Sequence, residues 1–284
     1  MDDAPICRLC GSPQVKEVIS EERDLLTYHI VRCSSCDLIQ TVEHYSKLSP
    51  DYVNLDDSAL DEGRLWCQGE HKLPAFDQWL TYASRFATER PPKLLDVGCG
   101  TGGFLKFASM NGFHVYGFDA SRAQAEHAGT LFPEVRHASS LQAYLELLNQ
   151  AELKFDCITL WDVFEHIRNP IPFMQQLTKA LEPRGYLFIS VPNGRAIPWK
   201  IRIRRLLNKP LDLAPWEHVF YHSFRSLHKC AEASSLECVH CGAVVCYPRP
   251  LSSFELCRRA GFLLLRAVPN LSPQIFFWAR KPSA

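Results

Sequence analysis

Three groups of residues in this sequence have the types and spacing that chemistry requires: paired cysteines, an aspartate set before a glycine turn, and histidines that follow strand ends. Cys7-x-x-Cys10 and Cys33-x-x-Cys36 are separated by 22 residues. A C-x-x-C turn aims two thiolates at one ion, and two such turns complete the four-sulfur tetrahedron that zinc prefers. Gly11 supplies a residue tolerant of positive φ after the first pair, and 28-YHIVRC-33 alternates like a strand leading into the second. The spacing predicts a zinc ribbon, with a closed and therefore structural metal site at Cys7, Cys10, Cys33 and Cys36. The other eight of the 12 cysteines do not repeat the pattern; Cys238 and Cys241 fall in 236-LECVHCGAVV-245, which reads as a buried strand.

The second group is 94-LLDVGCGTGGFLKF-107. Gly98, Gly100 and Gly103 satisfy G-x-G-x-x-G, a pattern common to doubly wound nucleotide folds. Asp96 separates the cases. A dinucleotide lays its pyrophosphate against the helix N-terminus, where a neighbouring carboxylate repels it. S-adenosylmethionine has no phosphate and carries an ammonium, so an acid beside the turn favours it. Asp119, closing the next strand, suits ribose hydroxyls as a two-oxygen acceptor. An NAD-dependent oxidoreductase is disfavoured on the same ground.

The third group is chosen from 11 histidines by position. His166 in 162-DVFEHI-167 follows one strand; His218 in Pro-Trp-Glu-His follows another strand and an insertion. Either is a general base for methyl transfer or a wall and loop residue, and the residues alone leave that choice open. The insertion, 196-AIPWKIRIRRLLNKPLDLAP-215, interleaves Lys200, Arg202, Arg204, Arg205 and Lys209 with apolar residues. It reads as a lid whose Arg202, Arg204 and Arg205 hold a phosphate-bearing acceptor, as a foot on an anionic membrane, or as a solvated basic face.

The elements that must position these residues alternate as βαβ units do. Strands are predicted over 93–97, 114–118, 155–161 and 186–191, with helices over 104–110 and 170–182 and late strands near 236–245 and 274–281. Ile171, Met174, Leu177 and Leu181 share one helical stripe. Tyr52 to Arg85, with Trp66, Trp79 and Tyr82, reads as helices that join ribbon to sheet and cover the cofactor. The division is thus a ribbon at 1–45, a helical linker at 46–92 and an α/β domain at 93–284 with its insertion at 196–215. Lys+Arg and Asp+Glu are both 31, which removes the basic field expected of a nucleic-acid partner. The N-terminus lacks a secretory pattern and 261-GFLLLRAV-268 is too short to span a bilayer, so a cytoplasmic protein with reduced cysteines is expected.

The stretches 94-LLDVGCGTGGF-104, 116-YGFDAS-121, 155-FDCITLWDVFEHI-167 and 181-LEPRGYLFISVPN-193 resemble, in order and spacing, the successive motifs of class I S-adenosylmethionine-dependent methyltransferases. With the paired cysteines and 215-PWEHVFYHS-223, the chain looks most like the zinc-ribbon methyltransferases of sugar and natural-product biosynthesis. The resemblance implies a doubly wound, Rossmann-like α/β methyltransferase sheet carrying a small N-terminal zinc ribbon. It implies S-adenosylmethionine held by Asp96, Gly98, Gly100, Asp119 and Ala120, with Trp161 and Asp162 on the far side. It favours His218 as base, Glu217 and His166 as its partners, and a sugar, sugar nucleotide or natural-product intermediate as acceptor. A zinc-ribbon interaction protein that binds S-adenosylmethionine without chemistry is the alternative.

Overall fold

The computed structural model describes residues 5–23, 26–42, 73–83, 90–149, 152–211, 213, 215, 218–244 and 272–283. Trp66, Trp216 and Glu217 lie outside the described residues, as does most of the predicted linker.

A seven-stranded sheet organises the chain. In chain order its strands are β4 (Lys93–Val97), β5 (His114–Asp119), β6 (Val135–His137), β7 (Phe155–Trp161), β8 (Leu181–Pro192), β10 (Glu237–Val244) and β11 (Gln274–Arg280). Their spatial order is β10-β11-β8-β7-β4-β5-β6, with β11 antiparallel to both neighbours and the β4–β8 pairings parallel. The order reverses beside β4, so the C-terminal ends of β4 and β7 open the crevice where such sheets bind ligands.

Both faces are covered, and strand alternation decides which residue serves which face. Leu95, Val97, Ile158, Leu160, Leu187, Ile189, Ile275 and Phe277 pack under α4 (Leu141–Leu147), α5 (Pro170–Ala180) and α7 (Phe224–Ala233). Leu94, Cys157, Phe188, Phe276 and Trp278 pack on the opposite face with α1 (Leu73–Ala83) and α2 (Gly103–Met110). Short α3 (Arg122–Gly129) starts at Ser121, whose hydroxyl accepts from the Gln124 amide. Helix α7 starts with a reciprocal Ser223–Ser226 capping box.

The predicted long helix ends at Ala180, and Leu181 already pairs with Phe155, so β8 starts five residues before the predicted 186. The turn within it needs Gly185, where a Cβ would lie 2.8 Å from the Glu182 carbonyl oxygen. The expected buried strand around Cys238 and Cys241 is instead an edge of the sheet among the described residues: β10 has one neighbour there, both cysteines are half-buried and Val239 is exposed. Its alternation comes from the pleat, with one side solvated. No helix among the described residues is long and apolar enough to cross a membrane.

The cysteine pairs sit on a second, four-stranded sheet of order β1-β2-β3-β9. β1 (Val15–Arg23) and β2 (Leu26–Cys33) form a hairpin, and β3 (Ile39–Thr41) follows the second knuckle. The fourth strand, β9 (Phe220–Tyr221), comes from the far side of the insertion. Cys7, Cys33, Cys36 and Leu38 share a continuous core with Phe220, Leu227 and Cys230. Asp37 takes an ion pair from Arg32 and another from Arg195 at 3.2 Å. The ribbon is therefore built into the α/β domain.

Candidate active site

The glycine turn joins β4 to α2. Gly98, Gly100 and Gly102 all have positive φ (69°, 54° and 87°), a region that side chains with a Cβ resist. The third strained position falls on Gly102, while Gly103 of the predicted pattern is the first helical residue. A Cβ on Gly102 would meet the Phe132 ring at 3.2 Å.

Asp119 ties the turn to the tip of β5. Its Oδ2 accepts from the Gly100 amide and its Oδ1 from the Ser121 amide, both at 2.8 Å. Burial pushes its carboxyl above the usual carboxylate range, against the amides of Ser121 and Gly100 that favour the charged form. Each oxygen keeps a further lone pair for a hydroxyl donor. Asp96 is 2% exposed, and one of its oxygens accepts from Thr159 Oγ1 at 2.7 Å.

A cavity of about 290 Å³ opens beside this turn, lined by Gly98, Ala120, Ala138, Ser139, Val163 and Phe173 among others. Of the predicted cofactor residues it gathers Gly98 and Ala120. Trp161 points elsewhere: its ring packs between Phe76, Phe104 and Phe188 at 4.7–4.9 Å, within the aromatic core under α1 and α2. Asp162 takes a left-handed backbone (φ 56°) at the end of β7, and its Oδ1 accepts from Gln274 Nε2 at 2.8 Å. Strain of that kind gathers at functional sites. Ser139, Ile167, Arg168 and Asn169 also border the cavity; Ser139 follows a strand only three residues long, which carries no readable period.

After β7 a single turn of 3₁₀ helix, Phe164–His166, carries the first histidine. His218 meets it from the other side of the insertion: the ring centroids are 5.0 Å apart, at 59°. The Glu165 carboxylate and one ring nitrogen of each histidine all lie within 4.8 Å of one another. The histidines lie 52 positions apart in sequence, and the ribbon closes that gap. Thr41 Oγ1 donates to the His218 carbonyl at 3.2 Å, the Thr41 amide donates to Val219 O, and the Val219 amide donates to Glu165 O. Gly194 lets the end of β8 pass this segment, since a Cβ there would lie 2.4 Å from Tyr221 O.

Burial lowers the basicity of His218 to about 4, with smaller contributions from His166 and Lys200, while Asp162 acts in the opposite sense. The imidazole is thus neutral at physiological pH. His222, which no spacing or motif singles out, is fully buried, stacks on Phe164 at 4.9 Å and meets Ser226 Oγ at 3.3 Å. Burial takes its pKa to about 3, and it braces the turn that bears His166.

Helix α6 (Ile197–Leu206) occupies the insertion. Ile197 and Ile201 pack on Ile19, Ile30 and Ile39 of the ribbon sheet. The three arginines have separate surroundings: Arg204 donates to Pro210 O, Arg202 lies over the Trp199 ring at 5.5 Å, and Arg205 is exposed. Trp199, Ile203, Leu206 and Leu207 are exposed beside them.

At the ribbon knuckles, Cys7 Sγ lies 3.4 Å from Cys36 Sγ and Cys10 Sγ 3.6 Å from Cys33 Sγ. All four sulfurs lie within 4.8 Å of one another. The contact between Cys7 and Cys36 pulls the Cys7 thiol down to about 5 and pushes the Cys36 thiol up.

Residues 70–241 match the family model described as a methyltransferase domain. The chain belongs to this methyltransferase family. Among curated proteins it is similar to the ubiquinone biosynthesis O-methyltransferases of Histophilus somni (strain 2336), at 29% identity over 46% of this chain and 57% of that one. The same enzyme of Rickettsia canadensis (strain McKiel) matches at 29% identity over 54% of this chain and 62% of that one. The chain therefore spans about three-fifths of the length of these relatives. Among solved structures it resembles an S-adenosylmethionine-dependent methyltransferase from Mesorhizobium loti, with TM-score 0.51, 14% identity, and coverage of 76% of this chain and 100% of that one. It also resembles a plantazolicin methyltransferase solved with a desmethyl analogue and S-adenosylhomocysteine, with TM-score 0.52, 16% identity, and coverage of 80% and 91%. At such identities these structures speak for the fold.

Proposed function

We propose that this protein transfers a methyl group from S-adenosylmethionine to a small-molecule acceptor whose reacting group lies beside His166 and His218. One observation carries the reading: the turn Val163–Ile167 is a wall common to the cavity and the histidine cluster. Val163 and Ile167 line the cavity, while Glu165 and His166 gather with His218. In this reading Asp119 accepts the ribose hydroxyls, Gly98, Gly100 and Ala120 let the backbone approach, and Asp96 favours the ammonium group. Asp162, at the left-handed end of β7, shapes the side toward the acceptor, while Trp161 supports that strand end from the aromatic core. The cofactor supplies an electrophilic methyl on its sulfonium, and the protein's task is alignment and removal of the acceptor's proton. Neutral His218 takes that proton on its free ring nitrogen, with His166 and Glu217 holding the acceptor.

The relatives' O-methyltransferase names support an oxygen acceptor, and the resemblance supports a sugar, sugar nucleotide or natural-product intermediate. The exposed basic and apolar face of α6 supports an anionic partner, either a phosphate on the acceptor or a lipid surface that presents it. The four cysteines fit zinc in donor type, number and spacing, and in this reading the ion holds the two knuckles in register.

The test is S-adenosylhomocysteine formation with a panel of phenols such as 3,4-dihydroxybenzoate, glycosides and sugar nucleotides. Turnover on at least one acceptor, lost in His218→Ala with cofactor affinity retained, is the expected result. Tight NAD binding with no affinity for S-adenosylmethionine would overturn the assignment. Replacing Arg202 and Arg205 by glutamine should raise KM for the anionic acceptor; a loss confined to vesicle-borne acceptor would identify a membrane contact.

A further inference from the structure

Proton removal by His218 gives no task to the carboxylate of Glu165. That side chain is 1% exposed, although it sits in a single 3₁₀ turn between two loops. One of its oxygens lies within 4.8 Å of a ring nitrogen on each of His166 and His218, and the only other grouping of this kind among the described residues is the four cysteines.

Two imidazoles and one carboxylate form the donor set of open transition-metal sites: nitrogen and oxygen ligands of intermediate softness, three from protein, with coordination positions left for water or substrate. The backbone holds all three. Glu165 and His166 are fixed by a turn in which the His166 amide donates to Val163 O at 3.0 Å, and His218 is held by Thr41 of the ribbon. The neighbouring charges are mixed. Asp162 favours a cation near His218 and Lys200 opposes it. A hard ion that binds through charge alone gains little there, whereas a nitrogen-preferring ion still gains two imidazole bonds.

We propose that Glu165, His166 and His218 form a second metal site, for a divalent transition ion of the zinc and cobalt class, and that an ion bound there blocks methyl transfer. The block follows from electron pairs: a ring nitrogen that donates its lone pair to a metal has none with which to take the acceptor's proton. The site itself rests on geometry; its effect on turnover rests on the reading of His218 as the base. Ribbon and cluster then differ as metal sites do in general, one closed by four sulfurs and structural, the other open and exchangeable.

The experiment starts from full-length protein with its ribbon metal counted by elemental analysis, then titrated with Co²⁺ and followed by visible d–d absorption. One further equivalent is expected, weakened at least tenfold in Glu165→Gln, which retains the buried volume, and lost in His166→Asn. No further equivalent, or one unchanged in both variants, overturns the site. This readout needs no acceptor, so it stands even if the methyl-transfer reading fails. With an acceptor from the panel, one equivalent of Zn²⁺ above the ribbon metal should lower turnover at least tenfold, relieved by an equivalent of chelator. Saturated binding with unchanged or increased turnover overturns the block.

Discussion

The cofactor side and the histidine side of this crevice are built at different ranges along the chain. Gly98, Gly100 and Asp119 come from one strand–turn–helix and the next strand tip, and the Asp119–Gly100 bond spans 19 positions. The histidine side joins the turn at 164–166, the segment 218–222 and the ribbon strand β3, and the Thr41–His218 bond spans 177. The first is assembled by local turn geometry. The second depends on contacts with the ribbon sheet, so the cysteine-bearing module supports the segment that carries the proposed base.

The comparison breaks most sharply at His218. His218→Ala should lower turnover by roughly 10²- to 10⁴-fold, the scale of a lost general base, while the Kd for S-adenosylmethionine stays within about twofold. Cofactor binding lost along with turnover would show that the two sides are one cooperative unit.

Removing the ribbon metal is the next strongest perturbation. A Cys33→Ser, Cys36→Ser double variant should lose zinc by elemental analysis and unfold at lower temperature, because the knuckles share a core with α7. Methyl transfer is expected to fall further than calorimetric cofactor affinity. An equal fall in both would erase the distinction between the sides.

Asp119→Asn probes the local side alone. Losing the charge that accepts from the Gly100 and Ser121 amides should weaken S-adenosylmethionine binding by about tenfold, the worth of one charge-assisted hydrogen bond, with turnover at saturation retained.

Thr41→Val is a milder and more discriminating change on the long-range side. It removes one side-chain hydrogen bond to the His218 carbonyl, worth about 0.5–1.5 kcal/mol, so turnover should drop by a factor of about two to ten with cofactor affinity and zinc content unchanged.

Acid sharpens the comparison at the level of stability. The pKa of His222 is lowered from 6.5 to about 3 by burial, so between those values the unfolded chain binds a proton that the folded chain refuses. Its contribution is fully present above 6.5 and is lost as pH falls toward 3. His222→Leu should flatten the pH dependence of denaturant midpoints over that window.

Much of this was legible in the sequence because it is local. The C-x-x-C spacing, the glycine turn after a short apolar strand, Asp119 at the next strand tip and the helical stripe through Met174 and Leu177 each follow from a few neighbouring residues and a fixed period. The less regular features escaped for the same reason. The three-residue β6 has no period, Gly102 rather than Gly103 takes the left-handed position, and β10 alternates as an edge strand does although its residues read as buried.

Local patterns along the chain put the chemistry on offer: four thiols in two knuckles, an acid beside a glycine turn, and histidines placed after strands. Which of these meet depends on how the two sheets pack together. β9 completes the ribbon sheet, Thr41 anchors His218, and Glu165 and His166 come to lie within 4.8 Å of it, while the arginines of α6 make separate contacts. The physical reason is range: turn and strand preferences act over a few residues, whereas the contacts that gather these histidines depend on two sheets sharing one core.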